Sequence, residues 1–301
     1  MKPMQRGVAI VLAMAVVALA ALTATAIVAS LGTWSTRLAL ASDHAQAQAL
    51  VAAGVDWARA LLSDDMRTSN VDYLGEPWSL RLSPVAVDNG SLQGQIVDEQ
   101  GKFNLNGIAS NGTIDQAQLD RFRNLLSILR LPVSLADHLA NWIAAPSAAT
   151  RQDDQYYLGL KPPYLAAHRL LSDVDELAQV RGFDAGVRAR LDPFATALPR
   201  GTAVNVNTAS PEVIAAIVEG LDLAAARALV AQRDRFYFRN LSDFLDKLPP
   251  TATPPEGGIA VSTSYFQASV RVNVGRARAS GTALLERESS GWSTIVWRKF
   301  L

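Results

Sequence analysis

An uncharged apolar segment near the N-terminus constrains the fold of this chain more than any other feature. No charged residue occurs between Arg6 and Arg37 in a chain of 301 residues. As a helix that rises about 1.5 Å per residue, this segment is longer than the roughly 20 residues that span a bilayer. It also exceeds the apolar part of a secretory signal, which is about 7–15 residues long. The sequence therefore predicts a transmembrane helix.

The residues that flank this segment predict its orientation. Lys2 and Arg6 precede it, and the positive-inside rule places such residues in the cytoplasm. Trp34 falls where an interfacial anchor would lie. On hydropathy alone two other interpretations stay open, which are an unprocessed signal anchor and a signal peptide cleaved within the small-residue stretch ALTATA.

The helix is expected to continue beyond the membrane. Apolar residues recur there at spacings of three and four, at Leu50, Ala53, Trp57, Ala60 and Leu61. This spacing predicts an amphipathic helix. No proline interrupts the chain between Pro3 and Pro77. We therefore expect one helix of more than about 50 residues whose outer half packs on a globular domain.

The composition argues against several functional classes. Lys plus Arg and Asp plus Glu both number 28, so the chain lacks the positive charge of a typical nucleic-acid binder. It has no cysteine for a disulfide, a metal site or a redox site. Its histidines, His44, His138 and His168, lie in unrelated segments, and no hydrolase, zinc-protease or phosphate-loop motif occurs. We expect no enzyme and no catalytic residue.

Strand-like alternation brackets a long helical middle. Strands are predicted over 76–98, beginning with WSLRL at 78–82, and over 266–274. A final hairpin is expected to turn at Ser289, Ser290 and Gly291. Residues 104–258 between these regions have helical periodicity. The prediction is an α+β fold in which a large all-helical domain interrupts a small antiparallel sheet.

The helical middle contains an internal repeat. Three pairs of segments resemble each other: 103–106 with 204–207, 128–143 with 217–233, and 171–180 with 241–250. The helical pair is about 90 residues apart and the last pair about 70. Some 20 extra residues are therefore expected in the first copy, between Trp142 and Leu170.

The second copy has the pattern of a helix-hairpin-helix unit. Thr208 or Ser210 is expected to cap a helix that begins at Pro211. The pattern resembles units of DNA-binding competence and repair proteins, whose Gly-x-Gly hairpin binds a phosphate. Here Asp222 replaces the second glycine and would repel phosphate. We expect no nucleic-acid binding, and a membrane-tethered DNA-binding protein of DNA uptake stays as the alternative function.

The N-terminus resembles that of type IV pilin-like proteins, in which a short basic leader ends in glycine before an apolar helix. In that family a prepilin peptidase cuts after the glycine and methylates the new amine. The resemblance implies cleavage between Gly7 and Val8. The fifth mature residue is then Leu12, where most members have a glutamate that pairs with the terminal amine of the subunit above. An unpaired acid in a membrane costs about 2.5–3.5 kcal/mol, so Leu12 suits a subunit with no neighbour above it.

Taken together, the motifs resemble the GspK-type minor pseudopilin family of type II secretion systems. Their order carries the resemblance: Arg6-Gly7-Val8, DEQGKFNLN, YYLGLKPPY, LSDVDELAQVRGF and VNVNTASPEVIAAI. The resemblance implies a subunit at the pseudopilus tip, bound to minor pseudopilins I and J, that primes assembly of the major pseudopilin for protein export. It also implies a single pass through the inner membrane, with a cytoplasmic N-terminus and a periplasmic globular part.

The resemblance also implies a domain layout and a cofactor. The expected segments are a leader at 1–7, a helix at 8–66 that is transmembrane over about 8–36, a pilin-like domain at 67–103 and 259–301, and the insertion at 104–258. Family members bind calcium through an acidic loop of the insertion. Here only Asp153 and Asp154 remain of that loop, so we expect weak calcium binding or none.

Overall fold

The N-terminal apolar segment forms one continuous helix. A computed structural model describes residues 4–81, 83–147, 151–288 and 291–300. Helix α1 spans Met4–Thr68, and within these residues it is the one helix long and apolar enough to cross a membrane. Large apolar side chains from Val8 to Leu40 are exposed. The C-terminal part of α1 instead packs on a globular body, as the sequence predicts.

The face of α1 that packs on this body is not the one that the spacing of large residues predicts. Trp57, which the prediction placed at the centre of the buried stripe, is 48% exposed. Gly54 gives the reason, because a Cβ atom there would lie 2.8 Å from Cγ1 of Val270. The helix lies too close to the sheet for bulky residues, so the buried stripe consists mainly of small ones. These are Ala47, Val51, Val55 and Ala58, followed by Leu62.

A five-stranded antiparallel sheet covers this face of α1. Its order is β1-β2-β9-β10-β11. The strands span Val85–Val87, Gly90–Asp98, Tyr265–Val274, Ala277–Glu286 and Thr294–Phe300. Alternate residues of β9 from Phe266 to Val274 are buried against α1, which confirms the predicted alternation. Of the predicted final turn, Ser289 and Ser290 lie outside the described residues, and Gly291 lies between β10 and β11.

The strand predicted at 78–82 is wrong. Pro77–Ser79 forms a 3₁₀ turn, and Leu82 lies outside the described residues. The carboxylate of Glu76 accepts a hydrogen bond from Trp78 Nε1 at 2.7 Å. Trp78 is buried edge-on against Phe266, with ring centroids 5.1 Å apart. The apolar–polar alternation of this segment thus reflects one buried tryptophan in a turn.

The insertion between β2 and β9 has its own hydrophobic core. Its helices α2 to α8 span Gln116–Ile128, Leu135–Ile143, Arg151–Leu158, Ala185–Leu191, Pro211–Ile217, Leu223–Arg233 and Leu241–Leu245. Short strands β3 to β8 accompany them at Phe103–Asn104, Ala109–Ser110, Thr113–Ile114, Ala195–Thr196, Val204–Asn205 and Ile259–Ala260. The predicted α+β fold is therefore confirmed, and the insertion, which was predicted as all-helical, also contains these short strands.

The short strands pair because the backbone at the start of each repeat needs hydrogen-bond partners where no helix provides them. β3 pairs in parallel with β6, and β7 pairs in parallel with β8. Each repeat unit therefore closes on itself, with its first strand beside its last. We call these two units the first lobe, 103–196, and the second lobe, 204–260.

The two lobes begin with the same side-chain arrangement. Asn104 Oδ1 accepts a hydrogen bond from the backbone N of Asn106 at 3.1 Å, and Asn205 Oδ1 accepts one from Asn207 at 3.0 Å. The second asparagine of each pair then accepts a bond from a backbone N–H 65 or 31 residues later. Each lobe is thus held together by a buried amide that satisfies an otherwise unpaired backbone group.

The insertion lies at the end of the sheet that is farther from the apolar segment of α1. The turn between β9 and β10 lies against α1 near the membrane segment, where the backbone N of Arg276 donates to Asp43 Oδ2 at 3.2 Å. The chain enters the insertion at the end of β2 and leaves it at the start of β9. Both points lie at the end of the sheet opposite to this turn. Outward from the apolar segment of α1, the sheet therefore comes first, packed alongside the helix, and the insertion follows.

Candidate functional site

The residues predicted to govern processing and assembly lie on the apolar, membrane-compatible segment of α1. Gly7, Val8 and Leu12 belong to this helix. Val8 is 68% exposed and Leu12 is 66% exposed. The described globular part leaves these side chains free for lipid or for helices of other subunits.

The first residue of the acidic pair, Asp153, is buried at the start of α4. Its Oδ2 atom accepts a hydrogen bond from Asn141 Nδ2 at 2.8 Å and lies 3.6 Å from His138 Nδ1. Its Oδ1 atom lies 3.4 Å from an Arg181 guanidinium nitrogen. Both oxygens of Asp153 are therefore already in contact with nitrogen atoms of other side chains.

Asp154 points to a different partner, with Oδ1 3.2 Å from His168 Nε2. The fold thus brings His138 and His168, which appear unrelated in the sequence, to the acidic pair. A calcium site needs about six to eight oxygen ligands. The described side chains that contact Asp153 and Asp154 supply nitrogen atoms instead, which does not fit a strong calcium site.

The helix-hairpin-helix pattern forms the predicted pair of helices, α6 and α7. Ser210 Oγ caps α6 by accepting a hydrogen bond from Val213 N at 3.2 Å. Gly220 in the hairpin has a φ of +75°. Asp222 caps α7, and its Oδ1 atom accepts a bond from Ala225 N at 2.7 Å. A carboxylate therefore occupies the helix N-terminus at which a phosphate would bind.

A buried ion-pair network that the sequence analysis missed joins the end of α1 to the sheet. Arg287, just after β10, donates to Asp65 Oδ2 at 2.8 Å and to both oxygens of Asp72 at 2.6 Å. Burial is the main cause that raises the pKa of the Asp65 and Asp72 carboxyls. Glu76 lies close enough to complete a three-carboxylate group. The guanidinium of Arg287 already supplies positive charge to these carboxylates. We therefore interpret the group as a structural network that holds the end of α1 on the sheet.

A second buried carboxylate, Asp98, joins the sheet to the second lobe. Its Oδ2 atom accepts hydrogen bonds from the hydroxyls of Thr208 at 2.6 Å and Thr263 at 2.7 Å, and from Asn205 Nδ2 at 3.0 Å. Its Oδ1 atom accepts one from the backbone of Gln100 at 2.7 Å. Burial raises the pKa of Asp98 to about 6, although these hydrogen bonds act in the opposite direction.

The raised pKa of Asp98 predicts a pH dependence of stability. A carboxyl that holds its proton more tightly in the folded state stabilises the fold most below its unfolded pKa of 3.8. This contribution, on the order of 3 kcal/mol, is lost as the pH rises through about 6. Urea unfolding of the full chain in detergent micelles should show this loss between pH 4 and pH 7.

The matched variant for this prediction is Asp98→Asn, which keeps the size of the side chain and does not titrate. The free energy of unfolding of the variant should depend less on pH over the same interval. Parallel pH profiles for the wild type and the variant would contradict the assignment to Asp98.

The fold and the exposed apolar helix together define a class of protein. A membrane-compatible N-terminal helix whose outer half packs on an antiparallel sheet is the architecture of pilin-like proteins. Two family models, both described as type II secretion system (T2SS), protein K, match residues 101–200 and 204–262. The chain belongs to the type II secretion system protein K family. It is a minor pseudopilin, a structural component of that system and not an enzyme.

Curated relatives support the same family. A type II secretion system protein K of Pseudomonas aeruginosa is 34% identical, over 80% of this chain and 76% of that protein. One from Aeromonas hydrophila is 32% identical, over 73% of this chain and 74% of that protein. A relative from Klebsiella pneumoniae is 28% identical and covers 98% of this chain and 96% of its own length.

A solved structure supports the fold. The crystal structure of the GspK-GspI-GspJ complex from enterotoxigenic Escherichia coli contains a chain that matches with a TM-score of 0.77 and 24% identity. The match covers 88% of this chain and 99% of that chain. The architecture of α1, sheet and insertion is therefore that of a known fold.

Proposed function

We propose that this minor pseudopilin occupies the tip of the type II secretion pseudopilus and primes its assembly. The observation that carries the proposal is the location of the insertion, which covers the membrane-distal end of the sheet. A bulky domain there would block the addition of a further subunit above this one. Leu12 supports the same location, because a tip subunit has no neighbour whose amine would pair with an acid.

The proposed partners are minor pseudopilins I and J, then the major pseudopilin. Support for the first two comes from the solved complex, whose matching chain was crystallised as a GspK-GspI-GspJ assembly. The exposed apolar face of α1 from Val8 to Leu40 is the surface that would pack against the helices of these subunits. Close packing, more than water exclusion, would stabilise such helix pairs within the bilayer.

The proposed membrane state is a single pass through the bacterial inner membrane with a cytoplasmic N-terminus. The charges at Lys2 and Arg6 support this orientation. Prepilin peptidase would then remove residues 1–7 and methylate Val8. The rival function, DNA binding in DNA uptake, is disfavoured by Asp222 at the N-terminus of α7.

Mass spectrometry of the N-terminus tests this processing. The chain purified from cells that contain prepilin peptidase should begin at Val8 and carry one added methyl group. The same chain from cells without the peptidase should keep residues 1–7. An N-terminus at Met1 in both, or within ALTATA, would contradict the pilin-type processing and favour a signal anchor or a signal peptide.

Calcium should have only a small effect on this protein. With a dissociation constant near the weak limit of about 10⁻³ M, 1 mM calcium stabilises a fold by about 0.4 kcal/mol. The thermal midpoint of the full chain in detergent should therefore rise by about 1 °C or less. The double variant Asp153→Ala, Asp154→Ala should show no rise. A rise that persists in the double variant would show that other residues are the ligands.

A further inference from the structure

The outer face of the sheet, which points away from α1, carries polar residues arranged in rows. Because alternate residues of β9 are buried against α1, the intervening residues of β9 point outward. Pairing with β2 and β10 aligns these residues into two neighbouring rows. The rows are Gln93–Arg271–Ser280 and Gln95–Ser269–Thr282.

These rows form a pocket of about 310 Å³. Three residues with short hydroxyl side chains, Ser269, Ser280 and Thr282, line it beside longer ones. Cross-strand neighbours lie only about 5 Å apart, so short residues flanked by long ones leave a depression. Arg81, which precedes β1, and Arg271 both line this pocket.

The pocket is rich in hydrogen-bond donors and has no acidic lining residue. Among the described residues, no carboxylate lies within 4 Å of the guanidinium of either Arg81 or Arg271, and both arginines are exposed. Some other exposed arginines of this chain are paired, such as Arg67 with Asp64 and Arg239 with Asp243. What distinguishes Arg81 and Arg271 is that both guanidiniums line the same pocket and neither has a described carboxylate partner there.

We propose that this pocket binds a carboxylate carried by an extended segment of another protein. A guanidinium fork matches a planar carboxylate with two parallel hydrogen bonds. The amides of Gln93 and Gln95 offer both donors and acceptors, as a peptide backbone requires. The absence of an acidic lining residue argues against a divalent cation, which needs oxygen ligands with negative charge.

The test uses the full chain in detergent micelles and a fluorescent peptide of glycines with one central glutamate. The peptide should bind with a roughly millimolar dissociation constant, and its glutamine counterpart should bind at least about tenfold more weakly. Arg81→Gln and Arg271→Gln should each weaken binding of the glutamate peptide about tenfold. The matched control Arg235→Gln, an exposed arginine of the second lobe, should bind as the wild type does.

Inorganic phosphate distinguishes a free anion from a peptide carboxylate. It should displace the glutamate peptide only at concentrations well above those of the peptide itself. Three results would overturn the proposal: no binding of the glutamate peptide, displacement by an equal concentration of phosphate, or an equal loss in Arg235→Gln. The side chains of Arg81 and Arg271 make no described hydrogen bond or ion pair, so unchanged thermal midpoints should show that both variants fold.

Discussion

Arg287→Met should lower the free energy of unfolding by about 3–5 kcal/mol, because it leaves two buried carboxylates without their counter-charge. Arg287 is 5% exposed, and Asp72 is 1% exposed. In the variant, Asp65 and Asp72 must either stay charged without a partner or take up protons. Urea unfolding of the full chain in detergent at neutral pH measures the loss, which should become smaller as the pH falls.

Two comparisons separate the lost charge from lost packing. Arg298→Met, at an exposed position of β11, should change the stability by less than about 0.5 kcal/mol. Adding Asp65→Asn and Asp72→Asn to Arg287→Met should recover much of the stability, because the two side chains that Arg287 contacts then carry no charge. If Arg287→Met alone lowers the free energy of unfolding by less than about 1 kcal/mol, the network does not hold α1 on the sheet as we describe.

Leu12→Glu should reduce type II secretion at least about tenfold while leaving the globular fold intact. An unpaired carboxylate costs about 2.5–3.5 kcal/mol at the centre of a membrane helix and less towards its ends, where Leu12 lies; a tenfold effect needs only about 1.4 kcal/mol. A tip subunit has no neighbour above it to provide the pairing amine. The measurement is the amount of a secreted enzyme outside cells that express only the variant.

Leu12→Ile is the matched control, because it keeps the position apolar and should secrete as the wild type does. Leu12 is 66% exposed and lies on the membrane segment, so unfolding of the globular part should be the same in both variants. Membrane extraction should confirm that Leu12→Glu still inserts. Wild-type secretion by an inserted Leu12→Glu protein would remove the physical basis for the tip location.

The elements that local patterns determine were predictable from the sequence. The uncharged run predicted α1, and strict alternation predicted the buried face of β9. The buried face of α1 was mispredicted because close approach at Gly54 depends on Val270, far away in the chain. Spacing along a helix reports where apolar residues lie, but not how closely the opposite surface approaches.

The polar sites were harder to predict, because their partners are distant in the sequence. Arg287 meets Asp65 and Asp72 across more than 200 residues, and Asp98 meets Thr208 across 110. No short motif marks such pairs. Asp153 and Asp154 were singled out as oxygen ligands, whereas Arg181 and His138 contact Asp153 only because the first lobe folds back on α4.

The insertion leaves and re-enters the sheet at facing residues, since Asp98 of β2 is paired with Phe266 of β9. For the sheet, the roughly 165 intervening residues are therefore equivalent to a hairpin loop. The entropy of closing a loop grows only with the logarithm of its length, so five doublings beyond a tight turn cost about 3 kcal/mol. In each lobe the last strand pairs with the first. This pairing shortens the effective loop and lowers the entropy cost further. A pilin-like subunit can thus gain, duplicate or lose whole domains at this one connection while the register of every strand stays the same.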